Sequence, residues 1–506
     1  MARRRVVRHA WPIALSLLVL LAACQPGLDA AAPTDRDLQP PHVSVEGPPA
    51  STGGVARVAV PAQPAGGLPV DDLDVAGDDL LALWGLPLYR VDGSGLPRPA
   101  LTETAEVSAD GMRVELRLRS GSWSDGQPVT GRDLEATVAA VRAIDDPLER
   151  LAWLEEVDVD EADASQVTLH LTQPTRRWPA LLSSTGVLPA HVLADTALEE
   201  WESPPPVVGG PFVPVASQPG LGWTFEAHAD GPLGPPALDG IEILVVPSFD
   251  TALALLGQGE LDAIIGHLAI RPHLRIQQLA YDERFPVAPA QLAVAAAHGG
   301  TEVALRFTPD GVLGGPAQRR RDVRGAVDVR HLVEGLGAGV AVGAEFASEA
   351  EPDQAEPEGL AGVDAAMVVS NEQELLVEVA RLLEAQVRGQ EGSLRIEGEP
   401  SPDDVRRADE LDASLVVRRA WNDPDLRPYL PAGELDRALA AEAVPSRHDA
   451  AAQEAWLRAA EHAIDLPLLR PRVAHVWHQR LDGLEPSAWP GVGLASAHRW
   501  RLEGEG

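Results

Sequence analysis

The sequence has almost no cysteine and no lysine. Cys24 is the only cysteine in 506 residues, which excludes a disulfide framework, so a large hydrophobic core must stabilise the folded part. Every fixed cation is an arginine, and the formal net charge is −35. Because so acidic a chain repels phosphate backbones, nucleic acid is not expected as a partner.

The N-terminus also lacks a run long enough to cross a membrane. Its apolar stretch, residues 11–21, is shorter than the roughly 20 residues that span a bilayer. Arginines precede this stretch, and Leu21-Ala22-Ala23-Cys24 closes it. This layout predicts a bacterial lipoprotein signal peptide over residues 1–23, cleaved before a lipid-modified Cys24. An ordinary secretory signal is the alternative.

A diacylated or triacylated cysteine anchors a protein stably, whereas one acyl chain binds only marginally. The predicted location is therefore the outer face of the cell membrane, outside the cytoplasm. Residues 24–54 are rich in Pro, Ala and Asp without apolar periodicity, which predicts a disordered tether. The folded part is expected to begin at Val55.

Strand and helix patterns alternate after this point, which predicts an α/β fold. Residues 112–118 alternate polar and apolar side chains, as a strand with one buried face does. Thr130 and Asp133 form a capping-box pattern before a predicted helix at 134–144, and residues 375–387 predict a long amphipathic helix.

A series of short motifs accompanies these elements. In chain order they are Leu83-Trp84-Gly85-Leu86, Pro99-Ala100-Leu101-Thr102-Glu103, residues 123–133, Leu188-Pro189-Ala190-His191, Gly209-Gly210-Pro211-Phe212 and Gly259-Glu260-Leu261-Asp262. Together they resemble the extracytoplasmic solute-binding proteins of family 5, the substrate-binding lipoproteins of dipeptide, oligopeptide and nickel ABC transporters. The segment 123–133 is the most specific of the motifs.

The resemblance implies a two-lobed periplasmic-binding-protein-like fold of the class II, cluster C type, with an inserted small domain. Mapped onto this chain, the first lobe comprises residues 55–81, 172–287 and 481–506. The inserted subdomain is residues 82–171, and the second lobe is residues 288–480.

The resemblance also implies a function without chemistry. A receptor of this kind captures a peptide or peptide-like solute between its lobes by hinge closure and delivers it to an ABC permease complex. It is expected to act as a monomer, to need no cofactor and not to be an enzyme. His475 and His478 have metal-like spacing without the glutamate of a zinc hydrolase, so no metal site is predicted.

The ligand contacts are less defined. Peptide-binding members commonly place an aspartate shortly after a second-lobe tryptophan, and its carboxylate pairs with the peptide's α-ammonium. This chain has Trp421-Asn422-Asp423-Pro424, a shorter spacing than usual. Either Asp423 pairs with the ammonium from a shifted position, or it only forms a turn before Pro424 and the ammonium site is lost.

Tryptophans are further candidates for the ligand site. Trp84 and Trp421 either provide apolar ligand contacts or are ordinary core residues, and Asn422 lies beside the second of them. Residues 335–343 are rich in glycine and residues 349–358 in acidic side chains, where the family usually has a segment that lines the pocket. This departure keeps an alternative function open: a lipoprotein of the same fold that has lost import and binds or regulates cell-envelope glycolipids.

Overall fold

The computed structural model describes residues 53–62, 75–143, 151–276, 287–343, 360–399, 411–419 and 465–502, with short gaps inside these ranges. The predictions for the signal peptide, for Cys24, for most of the tether and for Trp421, Asn422 and Asp423 lie outside the described residues. Within the described ranges, no helix has the length and apolar character needed to cross a bilayer.

Strands form most of the regular structure. In chain order they are β1 (Val55–Val60), β2 (Tyr89–Val91), β3 (Pro97–Pro99), β4 (Thr102–Val107), β5 (Arg113–Leu118), β6 (Leu154–Val159), β7 (Gln166–Leu171), β8 (Phe212–Gln218), β9 (Gly222–Ala227), β10 (Gly240–Val245), β11 (Ala263–His267), β12 (Leu292–Ala297), β13 (Thr301–Phe307), β14 (Ala341–Gly343), β15 (Asp364–Ser370), β16 (Ser393–Glu399), β17 (Ala413–Arg419), β18 (Asp465–Pro471), β19 (Val473–His478), β20 (Leu481–Asp482) and β21 (Arg501–Leu502).

Helices alternate with these strands. They are α1 (Val75–Trp84), α2 (Gly131–Ala143), α3 (Trp178–Leu181), α4 (Ala190–Leu193), α5 (Phe249–Gly257), α6 (Ala317–Ala326), α7 (Val329–Leu336) and α8 (Glu374–Gly389), with 3-10 turns at Leu198–Glu200 and Ala497–Arg499. The predicted helices at 134–144 and 375–387 correspond to α2 and α8. The end of the glycine-rich stretch 335–343 forms the short strand β14.

The first large sheet has seven strands in the order β12-β19-β11-β1-β10-β9-β8. Its centre is parallel, because β1 runs in the same direction as both β10 and β11. Both faces of β1 are buried: Val58 belongs to one hydrophobic cluster and Ala59 to another, and each is fully inaccessible to solvent. A central parallel strand covered on both sides is typical of α/β folds.

A smaller antiparallel sheet, in the order β4-β5-β7-β6, packs against α2. The alternation predicted for residues 112–118 is confirmed in β5, where Val114, Leu116 and Leu118 are buried and the residues between them are exposed. These side chains share one hydrophobic cluster with Leu134 and Val138 of α2. The cluster continues past residue 171, the predicted end of the inserted subdomain, because Trp178, Leu188 and Leu198 also belong to it.

The second large sheet has six strands in the order β14-β18-β13-β17-β15-β16. Helix α8 covers it with an amphipathic face, and its side chains in the shared core recur every three or four residues: Leu375, Leu376, Val379, Ala380, Leu383 and Val387. This sheet and α8 share a hydrophobic cluster that is separate from the clusters of the first large sheet.

The chain passes between the two large sheets through neighbouring strands. It leaves the first sheet after β12 and enters the second at β13, and it returns from β18 to β19. Strand β12 pairs with β19, and β19 pairs with β11, although the predicted boundaries place both β12 and β19 in the second lobe. The physical reason is that β12 pairs in the first sheet before the chain leaves it and β19 pairs there after the chain returns, so the crossing points lie about ten residues inside those boundaries.

Candidate functional site

The candidate site begins at the carboxyl ends of the parallel strands. Strands β1, β10 and β11 end at one edge of the first sheet, at Val60, Val245 and His267. Open α/β sheets bind ligands at this edge. Leu268, directly after β11, packs against the hydrophobic cluster of the second sheet. This edge of the first lobe therefore faces the second lobe.

His267 fixes the end of β11. The side chain is 1 % exposed, with Nε2 2.7 Å from the carbonyl oxygen of Val246 and Nδ1 3.3 Å from that of Ile265. Burial lowers the pKa of His267 from 6.5 to about 4, against the opposing effect of the two carbonyls. The ring is neutral at pH 7, and we assign its single proton to Nε2 because that contact is the shorter. His267 thereby ties β11 to the segment after β10.

Trp84, the predicted ligand residue that the structure describes, lies at the C-terminal end of α1. Helix α1 approaches strand β17 of the second sheet to within 8 Å between Cα atoms. The side chain of Trp84 is only 5 % exposed, yet it belongs to none of the hydrophobic clusters formed by the described residues. Its indole Nε1 is buried without a hydrogen-bond partner among the described residues. Trp84 is therefore a buried donor that lies outside the described hydrophobic clusters.

Glycines let the backbone pass close to Trp84. The N–H of Gly210 donates to the carbonyl of Trp84 at 2.8 Å, and a Cβ at Gly210 would lie 2.4 Å from the carbonyl carbon of Trp84. A Cβ at Gly209 would lie 2.8 Å from the ring of Trp123. Two motifs that were predicted separately therefore contact each other beside Trp123. They are Leu83-Trp84-Gly85-Leu86 and Gly209-Gly210-Pro211-Phe212.

Arg90 places a positive charge beside Gly85, the residue that follows Trp84. Its guanidinium Nη2 donates to the carbonyl oxygen of Gly85 at 3.3 Å. Burial lowers the pKa of Arg90 from 12.5 to about 10, which leaves the side chain charged at neutral pH. Sequence reasoning passed over Arg90, and the signal that could have found it was a lone arginine inside the apolar strand Leu88-Tyr89-Arg90-Val91.

The most specific motif, residues 123–133, binds another motif of the same chain. The carboxylate of Asp133 accepts the backbone N–H of Thr130 at 2.7 Å, as predicted for a capping box, and that of Ala190 at 2.8 Å. Asp125 lies 2.7 Å from Nε2 of His191. The hydroxyl of Thr137 accepts the N–H of Leu188 at 2.8 Å. These polar residues hold the segment Leu188-Pro189-Ala190-His191 in place.

The Gly259-Glu260-Leu261-Asp262 motif has a similar structural role. Asp262 is 1 % exposed and accepts the backbone N–H of Arg57 at 2.8 Å. Nε of Arg480 donates to the other carboxylate oxygen at 2.9 Å. One buried carboxylate thus joins the start of β11, strand β1 and the turn after β19. The motif stabilises the centre of the first sheet.

The other predicted ligand residues, Trp421, Asn422 and Asp423, lie outside the described residues. No described contact therefore joins them to Trp84. His475 is buried in β19. Burial lowers the pKa of His478, at the end of the same strand. Within the described part of the chain, no group of three or more His, Cys, Asp or Glu side chains is placed to hold a metal ion.

Comparison with known proteins supplies the family context. Residues 97–324 match the model of the bacterial extracellular solute-binding proteins, family 5, in the part named its middle region. A Brucella ovis protein named as an ABC transporter peptide-binding protein is 28 % identical over 118 residues, and a Brucella abortus protein of the same description matches equally. Each match covers 22 % of this chain and 22 % of the relative.

Solved structures match over much more of the chain. The oligopeptide-binding protein AppA of Bacillus subtilis, in complex with a nonapeptide, superposes with a TM-score of 0.74 at 16 % identity, covering 90 % of this chain and 100 % of AppA. NikZ of Campylobacter jejuni, in complex with Ni(L-His), gives a TM-score of 0.70 at 19 % identity, covering 88 % of this chain and 99 % of NikZ.

These matches identify the fold and support the family resemblance. The fold is the two-lobed periplasmic-binding-protein-like fold, and the predicted α/β fold class is confirmed. The predicted resemblance to the family 5 extracellular solute-binding proteins is confirmed as well, on residues 97–324. The relatives are binding proteins, not enzymes.

Proposed function

We propose that this chain is an extracytoplasmic solute receptor that encloses a peptide-like ligand between its two lobes and delivers it to an ABC importer. The observation that carries the proposal is the ligand-binding edge of β1, β10 and β11, which faces the second lobe through Leu268. Such a receptor works by differential affinity between open and closed states, not by catalysis.

The relatives support a peptide-like ligand. The Brucella proteins are named for peptide binding, and AppA holds a nonapeptide. NikZ holds a nickel–histidine complex on the same fold, so the fold by itself does not select the cargo. The sequence match to peptide-binding relatives favours a peptide-like solute for this chain.

Trp84 provides one contact in this proposal. A buried N–H without a partner costs about 1–3 kcal/mol. A ligand carbonyl oxygen that accepts a hydrogen bond from Nε1 of Trp84 removes that cost, so the bound state gains an interaction that the free protein lacks. The position of Trp84 outside the hydrophobic clusters, at the end of a helix that approaches the second sheet, supports this role.

The second lobe supplies the remaining contacts. In this proposal, Asp423 pairs its carboxylate with the α-ammonium of the peptide, and Trp421 and Asn422 complete the group. This assignment follows the family pattern of a tryptophan followed by an aspartate, at the shorter spacing that this chain has.

Cys24 provides the membrane attachment. Residues 1–23 act as the signal peptide, the acylated cysteine holds the protein on the outer face of the cell membrane, and residues 24–54 form the tether. The basic stretch, the apolar run and the Leu-Ala-Ala-Cys sequence support this part of the proposal. The receptor works as a monomer beside its permease complex.

We also propose the division into lobes predicted from the sequence, with one adjustment. The first lobe comprises residues 55–81, 172–287 and 481–506 together with β12 and β19, the inserted subdomain is 82–171, and the second lobe is the remainder of 288–480. The pairing of β12 and β19 within the first sheet supports the adjustment.

A calorimetric titration of the full chain with a pool of synthetic peptides, and with the same peptides N-acetylated, tests the ligand proposal. Free peptides are expected to bind, and acetylation or Asp423→Asn is expected to weaken binding about tenfold or more, because each removes the charge pair. Asp425→Asn, two residues further on, is the matched control and should retain affinity.

Two results would contradict this proposal. Equal affinity for free and acetylated peptides would remove the role of Asp423. If no peptide binds but a cell-envelope glycolipid raises the melting temperature, the import assignment fails and the envelope-factor alternative replaces it.

A further inference from the structure

An arginine joins the two lobes near the candidate site. Nη1 of Arg275 lies 2.5 Å from a carboxylate oxygen of Asp250, and Nη2 lies 2.6 Å from one of Glu374. The Arg275 side chain is 24 % exposed, which is less than either carboxylate. One guanidinium therefore holds two acidic side chains at once.

The three residues come from both sides of the molecule. Asp250 lies in the first turn of α5, which packs on the first sheet, and Ile276 beside Arg275 is buried in the same cluster as Phe249 and Leu253. Glu374 is the first residue of α8, whose apolar face is in the core of the second sheet. The contact between Arg275 and Glu374 thus crosses from the first lobe to the second.

Helix geometry explains why the arginine needs both partners. Asp250 and Glu374 lie at the N-terminal ends of their helices, where the helix dipole favours a negative charge and disfavours a positive one. Without the carboxylates, the two helix ends would repel Arg275. If the lobes separate, Glu374 moves away while Asp250 remains with Arg275, so the crossing pair exists only when the lobes are together.

We propose that Asp250, Arg275 and Glu374 form an ionic latch that stabilises the closed arrangement of the lobes in the absence of ligand. The inference rests on the proposed receptor function in that it requires the lobes to open. The latch raises the fraction of the free protein that is closed. Closure upon binding therefore requires less of the ligand's binding free energy.

The effect of salt on the distance between the lobes distinguishes this latch from the other ion pairs of α8. The pairs Arg388–Glu384 and Arg381–Glu378 lie within α8, so their loss changes the helix surface but not the lobe distance. Screening at about 1 M salt, where the Debye length falls to about 3 Å, should weaken the partly exposed crossing pair and open the lobes.

The test is a pulsed electron paramagnetic resonance measurement of the interlobe distance in the full chain without ligand. Spin labels are carried on Glu226→Cys in the first lobe and Arg395→Cys in the second, both exposed positions. A sample without these two cysteines shows any label carried by Cys24. Circular dichroism melting checks that each variant is folded.

Arg275→Met and Glu374→Gln are expected to shift the distance distribution toward longer distances, lowering the closed-to-open ratio about threefold, as the loss of a partly exposed ion pair would. High salt should do the same to the wild type and add little in either variant. Glu384→Gln, which breaks a pair of the same helix, should leave the distribution unchanged.

An unchanged distribution in folded Arg275→Met, or equal effects of Glu374→Gln and Glu384→Gln, would overturn the latch. Because the measurement uses no ligand, its failure is separate from a failure to find peptide binding. A shift in the variants of a protein that binds no peptide would keep the latch and refute the proposed cargo.

Discussion

At the scale of single residues, buried polar groups help to separate positions that stabilise the core from the proposed ligand contact. Trp84, Trp123 and Trp153 all have a buried indole Nε1 without a hydrogen-bond partner among the described residues. Trp123 and Trp153 belong to the core of the inserted segment, whereas Trp84 belongs to none of the described hydrophobic clusters. The unsatisfied indole N–H therefore lies within a hydrophobic core at Trp123 and Trp153, whereas at Trp84 we propose that it binds the ligand.

Replacing Trp84 by phenylalanine tests this difference. Trp84→Phe keeps an aromatic ring and removes the donor, so peptide affinity should fall about fivefold, the effect of losing one hydrogen bond worth about 1 kcal/mol. The melting temperature of the free protein should stay the same or rise, because the unsatisfied N–H disappears. Titration calorimetry and thermal denaturation of the same samples measure both quantities.

Trp123→Phe is the matched control for that experiment, because it removes an equally buried donor from the hydrophobic core. It should leave peptide affinity unchanged. A loss of affinity in Trp123→Phe as large as that in Trp84→Phe would show that the donor at position 84 has no special role.

His267 makes the stability of the protein depend on pH. Its folded-state pKa of about 4 lies below the unfolded value of about 6.5, so the unfolded chain takes up the proton first as the pH falls. The histidine therefore costs nothing above about pH 7 and destabilises the fold progressively between about pH 6.5 and 4. By pH 5 this amounts to a loss of about 2 kcal/mol.

Urea unfolding of the wild type and of His267→Gln at pH 8 and pH 5 measures this contribution. Glutamine can donate to the carbonyl of Val246 without titrating, and the carboxylates titrate alike in both proteins. The wild type should lose about 2 kcal/mol more than the variant between the two pH values. Equal losses would mean that His267 is protonated in the fold or that its burial is not maintained.

At the scale of elements, the sequence motifs act mainly by fastening one segment to another. Asp133 caps α2 and holds the first residue of α4, and Gly209 and Gly210 allow the approach to Trp84 and Trp123. The motif residues were predicted as a family pattern. Their contacts give a physical reason for the pattern, since Asp133 and Asp262 each accept a backbone N–H from a distant segment.

Asp133→Ala should destabilise the protein by about 2–3 kcal/mol, because it removes a helix cap and leaves the partly buried N–H of Ala190 without the carboxylate that accepts it. Glu135→Ala, on the exposed face of the same helix, should change the free energy of unfolding by less than about 0.5 kcal/mol. Chemical denaturation gives both values. A small effect at Asp133 would show that the contact between α2 and α4 is not needed for stability.

At the scale of the whole molecule, local patterns were predictable and distant pairings were not. The sequence predicts α8 and β5 because their apolar residues recur with the helix and strand periods over one element. The pairing of β12 with β19 joins segments almost two hundred residues apart, and no local period encodes it. The bounds predicted for the second lobe include β12 and β19 for that reason.

The candidate site follows the same rule. Trp84 was predicted from a motif that includes it, whereas His267 and Arg275 have no local signal, because their significance comes from partners on other strands and helices. The contacts that join the lobes arise from tertiary structure, so the sequence predicts the lobes and their bounds but not the contacts between them.

Native mass spectrometry of the full chain, released gently from detergent, tests whether this protein encloses a peptide, because receptors that enclose their cargo retain it during purification. We expect a fraction of the molecules to carry an additional mass that fragments as a peptide, and this fraction should decrease in Trp84→Phe. A protein that carries only its own lipid anchor after incubation with peptides, or that retains a glycolipid instead, would refute the proposed peptide-receptor function.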